Sequence, residues 1–132
     1  MQNFKKIKKL NPKFNDEGLI TAVIQNQTTK KVLMVGYMNN ESLKLTLKGP
    51  DAWFFSRSRQ RLWHKGEISG NYLKVVDVLI DCDGDTLLIL VNPIGPTCHE
   101  NKESCFDNVN HHPSEFIKEQ TPLILDEIFS II

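Results

Sequence analysis

Two apolar stretches, Tyr72 to Ile80 and Thr86 to Val91, flank the pentapeptide Asp81-Cys82-Asp83-Gly84-Asp85, and this arrangement limits the fold more than any other part of the chain. Both stretches are rich in Val, Ile and Leu, and the Asp-Gly step between them favours a tight hairpin turn. The chain is therefore expected to hold an antiparallel strand pair that carries three carboxylates and one thiol at its tip.

The remaining elements follow from the same punctuation. Asp16-Glu17-Gly18 reads as a turn, and Leu19 to Gln25 with Lys31 to Tyr37 read as a second hairpin around Asn26 to Lys30. Asn39 or Asn40 can cap a short helix over Glu41 to Lys48, which Gly49 and Pro50 then stop. Ala52 to Ser56 reads as a strand. Asn92 to Phe106, with Pro93, Gly95 and Pro96, reads as a loop. Pro113 suits the first turn of a helix, Thr121-Pro122 interrupts it, and Leu123 to Ile132 forms a second apolar helical stretch. The expected fold class is α+β, a strand-rich single domain with a mostly antiparallel sheet and short helices grouped at one end. One domain over 1–109, with its core at about 19–107, would be followed by a helical appendage over 110–132. The first nine residues are Lys-rich and read as a solvated entry segment.

Charge and composition then exclude some functions. Sixteen basic and sixteen acidic residues give a formal net charge of zero, so no global field draws in nucleic acid or an anionic membrane. No apolar run approaches the roughly 20 residues of a membrane span. The start, Met1-Gln2-Asn3-Phe4-Lys5-Lys6, does not read as a signal peptide. A cytoplasmic location is expected, where thiols stay reduced, and three cysteines suit metal ligation or packing better than a disulfide framework.

In an extended backbone Asp81 and Asp83 would share a face, Asp85 could rejoin it past Gly84, and Cys82 would point the other way. Carboxylate oxygens suit hard cations such as Mg²⁺ and thiolate suits Zn²⁺, so this stretch has the chemistry for two metals. An EF-hand is excluded, because its glycine belongs at position 6 and its glutamate at position 12. Counted from Asp81, the glycine comes too early and the last position is Asn92. The plain alternative is a polar turn with solvated aspartates. Cys82, Cys98 and Cys105 lack the Cys-x-x-Cys spacing of a zinc ribbon, yet all three lie in polar surroundings. Three protein ligands with a fourth place for water is the pattern of a catalytic zinc, which activates that water. His99 could fill the fourth place or serve as an acid/base.

In Ser56 to Glu67, Arg57, Arg59 and Arg61 alternate and would share one face of a strand. Arginine forks match phosphate oxygens, and Trp63 could stack on a base. A solvated strand edge and an RNA-binding patch are the alternatives. The shortness of the patch and the neutral remainder of the chain favour a small phosphorylated ligand.

Several motifs in this order resemble the phosphoribosyl-AMP cyclohydrolase family of histidine biosynthesis. They are Val35-Gly36-Tyr37-Met38-Asn39, Phe55-Ser56-Arg57-Ser58-Arg59, Leu62 to Asn71, Asp81 to Asp85, Gly95-Pro96-Thr97-Cys98-His99 and Ser104-Cys105-Phe106. The resemblance implies magnesium ligands at Asp81, Asp83 and Asp85 and zinc ligands at Cys82, Cys98 and Cys105. It also implies an intertwined homodimer that shares the zinc, one cysteine coming from the opposite subunit. His99 matches a histidine thought to assist proton transfer. The implied substrate is N1-(5-phosphoribosyl)-AMP, opened at its N1–C6 bond, with Arg57, Arg59 and Lys65 as phosphate candidates. His64, Ile68 and the acidic Glu100-Asn101-Lys102-Glu103 depart from the family's usual residues. The 26 residues after Phe106 are too few for the pyrophosphohydrolase domain found in some relatives, so a monofunctional chain is expected. Two other classes compete. A zinc deaminase would carry His-x-Glu and Pro-Cys-x-x-Cys, and neither occurs. A non-catalytic nucleotide- or RNA-binding module with a structural zinc would bind without turnover.

Overall fold

The computed structural model describes residues 11–107. The Lys-rich entry segment and the helical appendage expected over 110–132 lie outside those residues.

Six strands and one helix build the described fold. They are β1 (Ile20–Asn26), β2 (Val32–Met38), α1 (Asn40–Lys48), β3 (Trp53–Ser56), β4 (Arg61–His64), β5 (Leu73–Ile80) and β6 (Thr86–Pro93). A four-stranded sheet runs β2-β1-β6-β5, and β3 pairs with β4 in a small second sheet. Both expected hairpins are present: β1 pairs antiparallel with β2, and β5 with β6. The seam between the hairpins is parallel, with Thr21 opposite Thr86 and Asn26 opposite Val91. The result is strand-rich and mostly antiparallel, as the sequence suggests, with one helix among the described residues.

Alternation places the core. Along β1 every second residue is buried, so Ile20, Ala22 and Ile24 face inward. Leu87, Ile89 and Val91 of β6 lie beside them, fully buried, with Val78 of β5 and Leu33 of β2. Each such aliphatic side chain contributes about 1.5–3 kcal/mol relative to exposure. Phe54 of β3 is also fully buried and joins the small sheet to this core.

Asn39, not Asn40, caps α1. Its side chain accepts from the Ser42 N–H at 2.8 Å, and Ser42 Oγ accepts from the Asn39 N–H at 2.9 Å, a reciprocal capping box. Gly49 stops the helix with a φ of 75°. On the inner face Leu43 and Leu47 enter the core. Buried Thr46 accepts from the Trp53 N–H at 2.9 Å and donates to the Trp53 carbonyl at 3.1 Å, so α1 fixes the start of β3.

The basic middle differs from expectation. Residues 57–60 form the turn between β3 and β4, with Gln60 at a φ of 54°, and only Arg61 lies in a strand. The three arginines therefore do not alternate along one strand face. The reason is local: Phe55 must face Leu62 across the β3–β4 ladder, and the chain has only four residues in which to reverse.

Candidate metal centre and substrate cleft

The acidic cluster sits where β5 turns into β6. The Asp81 N–H donates to the Thr86 carbonyl at 3.0 Å and the Gly84 N–H donates to the Asp81 carbonyl at 3.0 Å, which closes the turn. Gly84 takes a φ of 77°, a conformation glycine adopts without a Cβ penalty. Asp81 Oδ1 accepts from the N–H groups of Asp85 and Thr86 at 3.1 and 3.3 Å. Partial loss of water alone would raise the Asp81 carboxyl. The N–H groups of Asp85, Thr86 and Gly84 and the Asp85 side chain outweigh that and hold it below the ordinary carboxylate range. Asp81, Asp83 and Asp85 are exposed, and one oxygen from each lies within 4.8 Å of the others. Among the described residues they are the only three His, Cys, Asp or Glu side chains so gathered. A turn brings them together, not the extended alternation read from the sequence. Three close, exposed carboxylates suit a hard divalent cation that keeps part of its water shell, as Mg²⁺ does.

The cysteines divide into a pair and a single residue. Cys82 is exposed at the same tip, its thiol 3.7 Å from Asp83 Oδ1. Cys98 and Cys105 lie together in the loop that follows β6, near enough for each thiol to act on the other. That loop folds back on itself, the Cys98 N–H donating to the Lys102 carbonyl at 3.0 Å and the Asn101 N–H to the Cys98 carbonyl at 3.0 Å. It is docked on β2: the Cys105 N–H donates to the Leu33 carbonyl at 2.8 Å, and fully buried Ser104 donates its hydroxyl to the Val32 carbonyl at 2.6 Å. Lys31 completes the anchorage through ion pairs to Glu103 and Asp107. Burial pushes the Cys105 thiol up, and neighbouring Cys98 adds to this, while Lys65 opposes both. The donor set fits a soft metal: two sulfurs brought together in one loop. Cys82 is not gathered with this pair within one chain.

Lys65 follows directly after β4 and points into this loop. It is 8% exposed, and its Nζ donates to the Thr97 carbonyl at 2.7 Å. Burial pulls the ammonium pKa down, and Cys105 and Cys98 partly offset that. Gly66 follows at a φ of 96°, with the Tyr72 backbone so close that a Cβ would lie 2.6 Å from its nitrogen.

An open cleft of about 580 Å³ lies over β4, lined by Ser56, Arg59, Arg61, Trp63 and His64 among others. Trp63 is 41% exposed, so its ring offers a stacking face. Arg57 lies elsewhere, over the Tyr37 ring at 4.0 Å, in a hollow shared with Val35 and Phe55. His99 is almost fully exposed, and Glu100 Oε1 is 4.0 Å from its Nε2.

Sequence reasoning missed one cluster beside the cleft. Asp51 is buried and forms an ion pair with Lys74 Nζ at 2.8 Å, with its other oxygen 2.9 Å from His64 Nε2. The His64 ring stacks on Trp53, centroids 4.3 Å apart. The three residues are distant in sequence, and nothing local signals the meeting. Burial alone would raise the Asp51 carboxyl, but Lys74 and then His64 hold it below the ordinary range. A depressed carboxylate stabilises the fold fully above its unfolded pKa of about 3.9, and that contribution is lost as pH falls through the folded value. The urea midpoint should therefore drop below about pH 4, and Asp51→Asn should be less stable at pH 7 with a shallower acid loss. Equal acid slopes for the two proteins would remove Asp51 from this role.

The comparisons with known proteins agree with this geometry. Residues 34–107, which include every candidate residue above, match the family model described as phosphoribosyl-AMP cyclohydrolase. Among curated relatives, the protein named histidine biosynthesis bifunctional protein HisIE from Haemophilus influenzae is 55% identical over 103 residues, covering 78% of this chain and 47% of that protein. The protein of the same name from Campylobacter jejuni is 49% identical over 110 residues, covering 83% and 53%. That from Escherichia coli K12 is 54% identical over 95 residues, covering 72% and 47%. The chain thus spans about half the length of the curated relatives it matches. A family match over more than half the chain, holding both the aspartate tip and the cysteine pair, places the chain in the phosphoribosyl-AMP cyclohydrolase family.

Proposed function

We propose that the chain hydrolyses the N1–C6 bond of the adenine ring in N1-(5-phosphoribosyl)-AMP, giving the ring-opened imidazole carboxamide of histidine biosynthesis. The observation that carries this reading is the pairing, within the family-matched segment, of a three-carboxylate tip with two cysteines brought together in one loop. Asp81, Asp83 and Asp85 would hold Mg²⁺. Cys98 and Cys105 of one subunit, with Cys82 of the other, would hold Zn²⁺ in a homodimer. Support for sharing comes from Cys82, which is exposed and apart from the other two sulfurs of its own chain. When bound, the zinc would supply water activated near neutral pH.

The chain's own residues do the rest. Trp63 offers its exposed face to the purine, and Arg59 projects into the same cleft, where its fork can take a phosphate. Arg57 is the second phosphate candidate, and stacking on Tyr37 would orient its fork. Lys65 lines the cleft, but Thr97 engages its ammonium. His99, exposed and next to Cys98, would deliver the proton to N1 as the bond to C6 breaks. Residues 1–109 would form the catalytic domain, in the cytoplasm.

Ultraviolet monitoring of the protein with phosphoribosyl-AMP, with zinc and magnesium and then after chelation, tests the proposal. The spectrum should change to that of the opened product, and chelation should abolish the change. Arg59→Ala should raise KM by about tenfold or more with a smaller effect on kcat, as the loss of a charged phosphate contact worth about 1.5–3 kcal/mol requires. A folded, metal-loaded dimer that leaves the spectrum unchanged would reject the enzyme and favour a nucleotide-binding module.

A further inference from the structure

A buried ammonium is costly, so its position in a fold calls for a physical reason. Lys65 is the most buried cation among the described residues, at 8% exposure. Its strand ends at His64, and its Nζ donates to the Thr97 carbonyl, 32 residues away, at 2.7 Å. Thr97 immediately precedes Cys98. The charge also lies near both Cys98 and Cys105, and the Trp63 ring centroid is 5.4 Å from Nζ. The near side of the cysteine loop therefore hangs from Lys65, as its far side hangs from β2 through Ser104 and Cys105. Without Lys65 the Thr97 carbonyl would lose its side-chain donor, and the Thr97–Cys98 step would keep only its backbone bonds to Glu103 and Lys102 within the loop.

We propose that Lys65 is the positioning residue of the Cys98–Cys105 pair: its ammonium ties the Thr97–Cys98 backbone to the end of β4, so that the two sulfurs meet a metal ion as a preset pair. The proposal rests on the reading of these cysteines as metal ligands. It moves Lys65 from the phosphate to the metal side of the site. It also connects the substrate cleft with the cysteine pair through one residue, since Lys65 follows β4 directly, lines the cleft and sets its ammonium against the Trp63 ring. Partners that orient a ligand from outside its coordination shell typically contribute 10- to 100-fold to metal affinity.

Cobalt(II) reports the pair directly, because thiolate coordination gives a near-ultraviolet charge-transfer band. The full chain is titrated with Co²⁺ as wild type, Lys65→Met and Lys65→Arg, with folding checked by near-ultraviolet circular dichroism. Lys65→Met fills the space without a donor and should bind Co²⁺ about 10- to 100-fold more weakly with an altered band. Lys65→Arg keeps a cationic donor and should recover most of that loss. Should Lys65→Met fail to fold, Lys65→Gln takes its place in the same comparison. A wild-type band with unchanged affinity in the uncharged variant overturns the proposal, and a raised KM in that variant would return Lys65 to the phosphate. A wild type with no thiolate band overturns the metal reading, and the proposal with it; the wild-type spectrum thus tells the two failures apart.

Discussion

Cys98→Ser is expected to abolish zinc retention and to reduce turnover beyond the 10- to 100-fold typical of losing a supporting residue. Serine keeps the size of the side chain but replaces a soft thiolate donor by a hydroxyl that does not ionise near neutral pH. The fold should survive. The loop is held by backbone bonds on both sides of Cys98 and by the Ser104 and Lys31 anchors, none of which uses the sulfur. A newly buried hydroxyl should cost about 1–3 kcal/mol at most. Metal analysis, the spectral assay and a thermal melt on one preparation separate the possibilities. A folded variant that turns over without zinc would dismiss the cysteine site. A variant that cannot fold would show that the sulfur supports the loop.

Gly66→Ala should be the most damaging single-methyl change in the described chain. At a φ of 96° an alanine is strained by about 1–3 kcal/mol. Its Cβ would also press on the Tyr72 backbone at 2.6 and 2.7 Å, and overpacking of this kind costs about 1–3 kcal/mol more. A total near 4 kcal/mol is a large share of the 5–15 kcal/mol that holds such a domain together. Two routes of relief exist, and both carry functional consequences. If the segment after β4 moves away from Tyr72, Lys65 moves with it and the Thr97 hydrogen bond is lost. If it does not move, the protein unfolds more readily. Urea unfolding, combined with the Co²⁺ titration, should record lower stability and weaker metal binding together. An alanine variant with a wild-type urea midpoint would contradict the close approach of these two backbones.

The sequence made local features legible. The alternation in β1, the Asp-Gly turn, and the Asn39 and Gly49 signals around α1 are short-range, and each is found where a neighbour of a few residues dictates it. Legibility failed where a distant partner decides. Nothing near Arg57 or Arg59 indicates that β4 starts at Arg61, because that start is set by pairing with Ser56. Lys65 reads as a phosphate candidate, with nothing nearby to show that Thr97 lies against it, and no local signal brings His64 and Lys74 to Asp51. At the acidic tip the three carboxylates do gather, but by a different geometry from the extended one the sequence suggests. Extended alternation puts Asp81 and Asp83 on one face and leaves Asp85 to rejoin them past Gly84, whereas the turn ties Asp85 in directly, through its N–H bond to Asp81.

The parallel seam between β1 and β6 joins residues roughly 65 positions apart. A ribosome adding about 5–20 residues per second needs about 3 to 13 seconds to make that interval. For the greater part of it, once Met38 is made, the β1–β2 hairpin can form, but the β1 edge that β6 will occupy has no partner. Ile20, Ala22 and Ile24 lie along that strand, and the side chains of β6 that help cover them do not yet exist. An apolar strand with an open edge is a template for pairing with another chain. The same topology that lets one small sheet carry both halves of the site therefore gives the nascent chain an interval of several seconds in which it is most prone to aggregate.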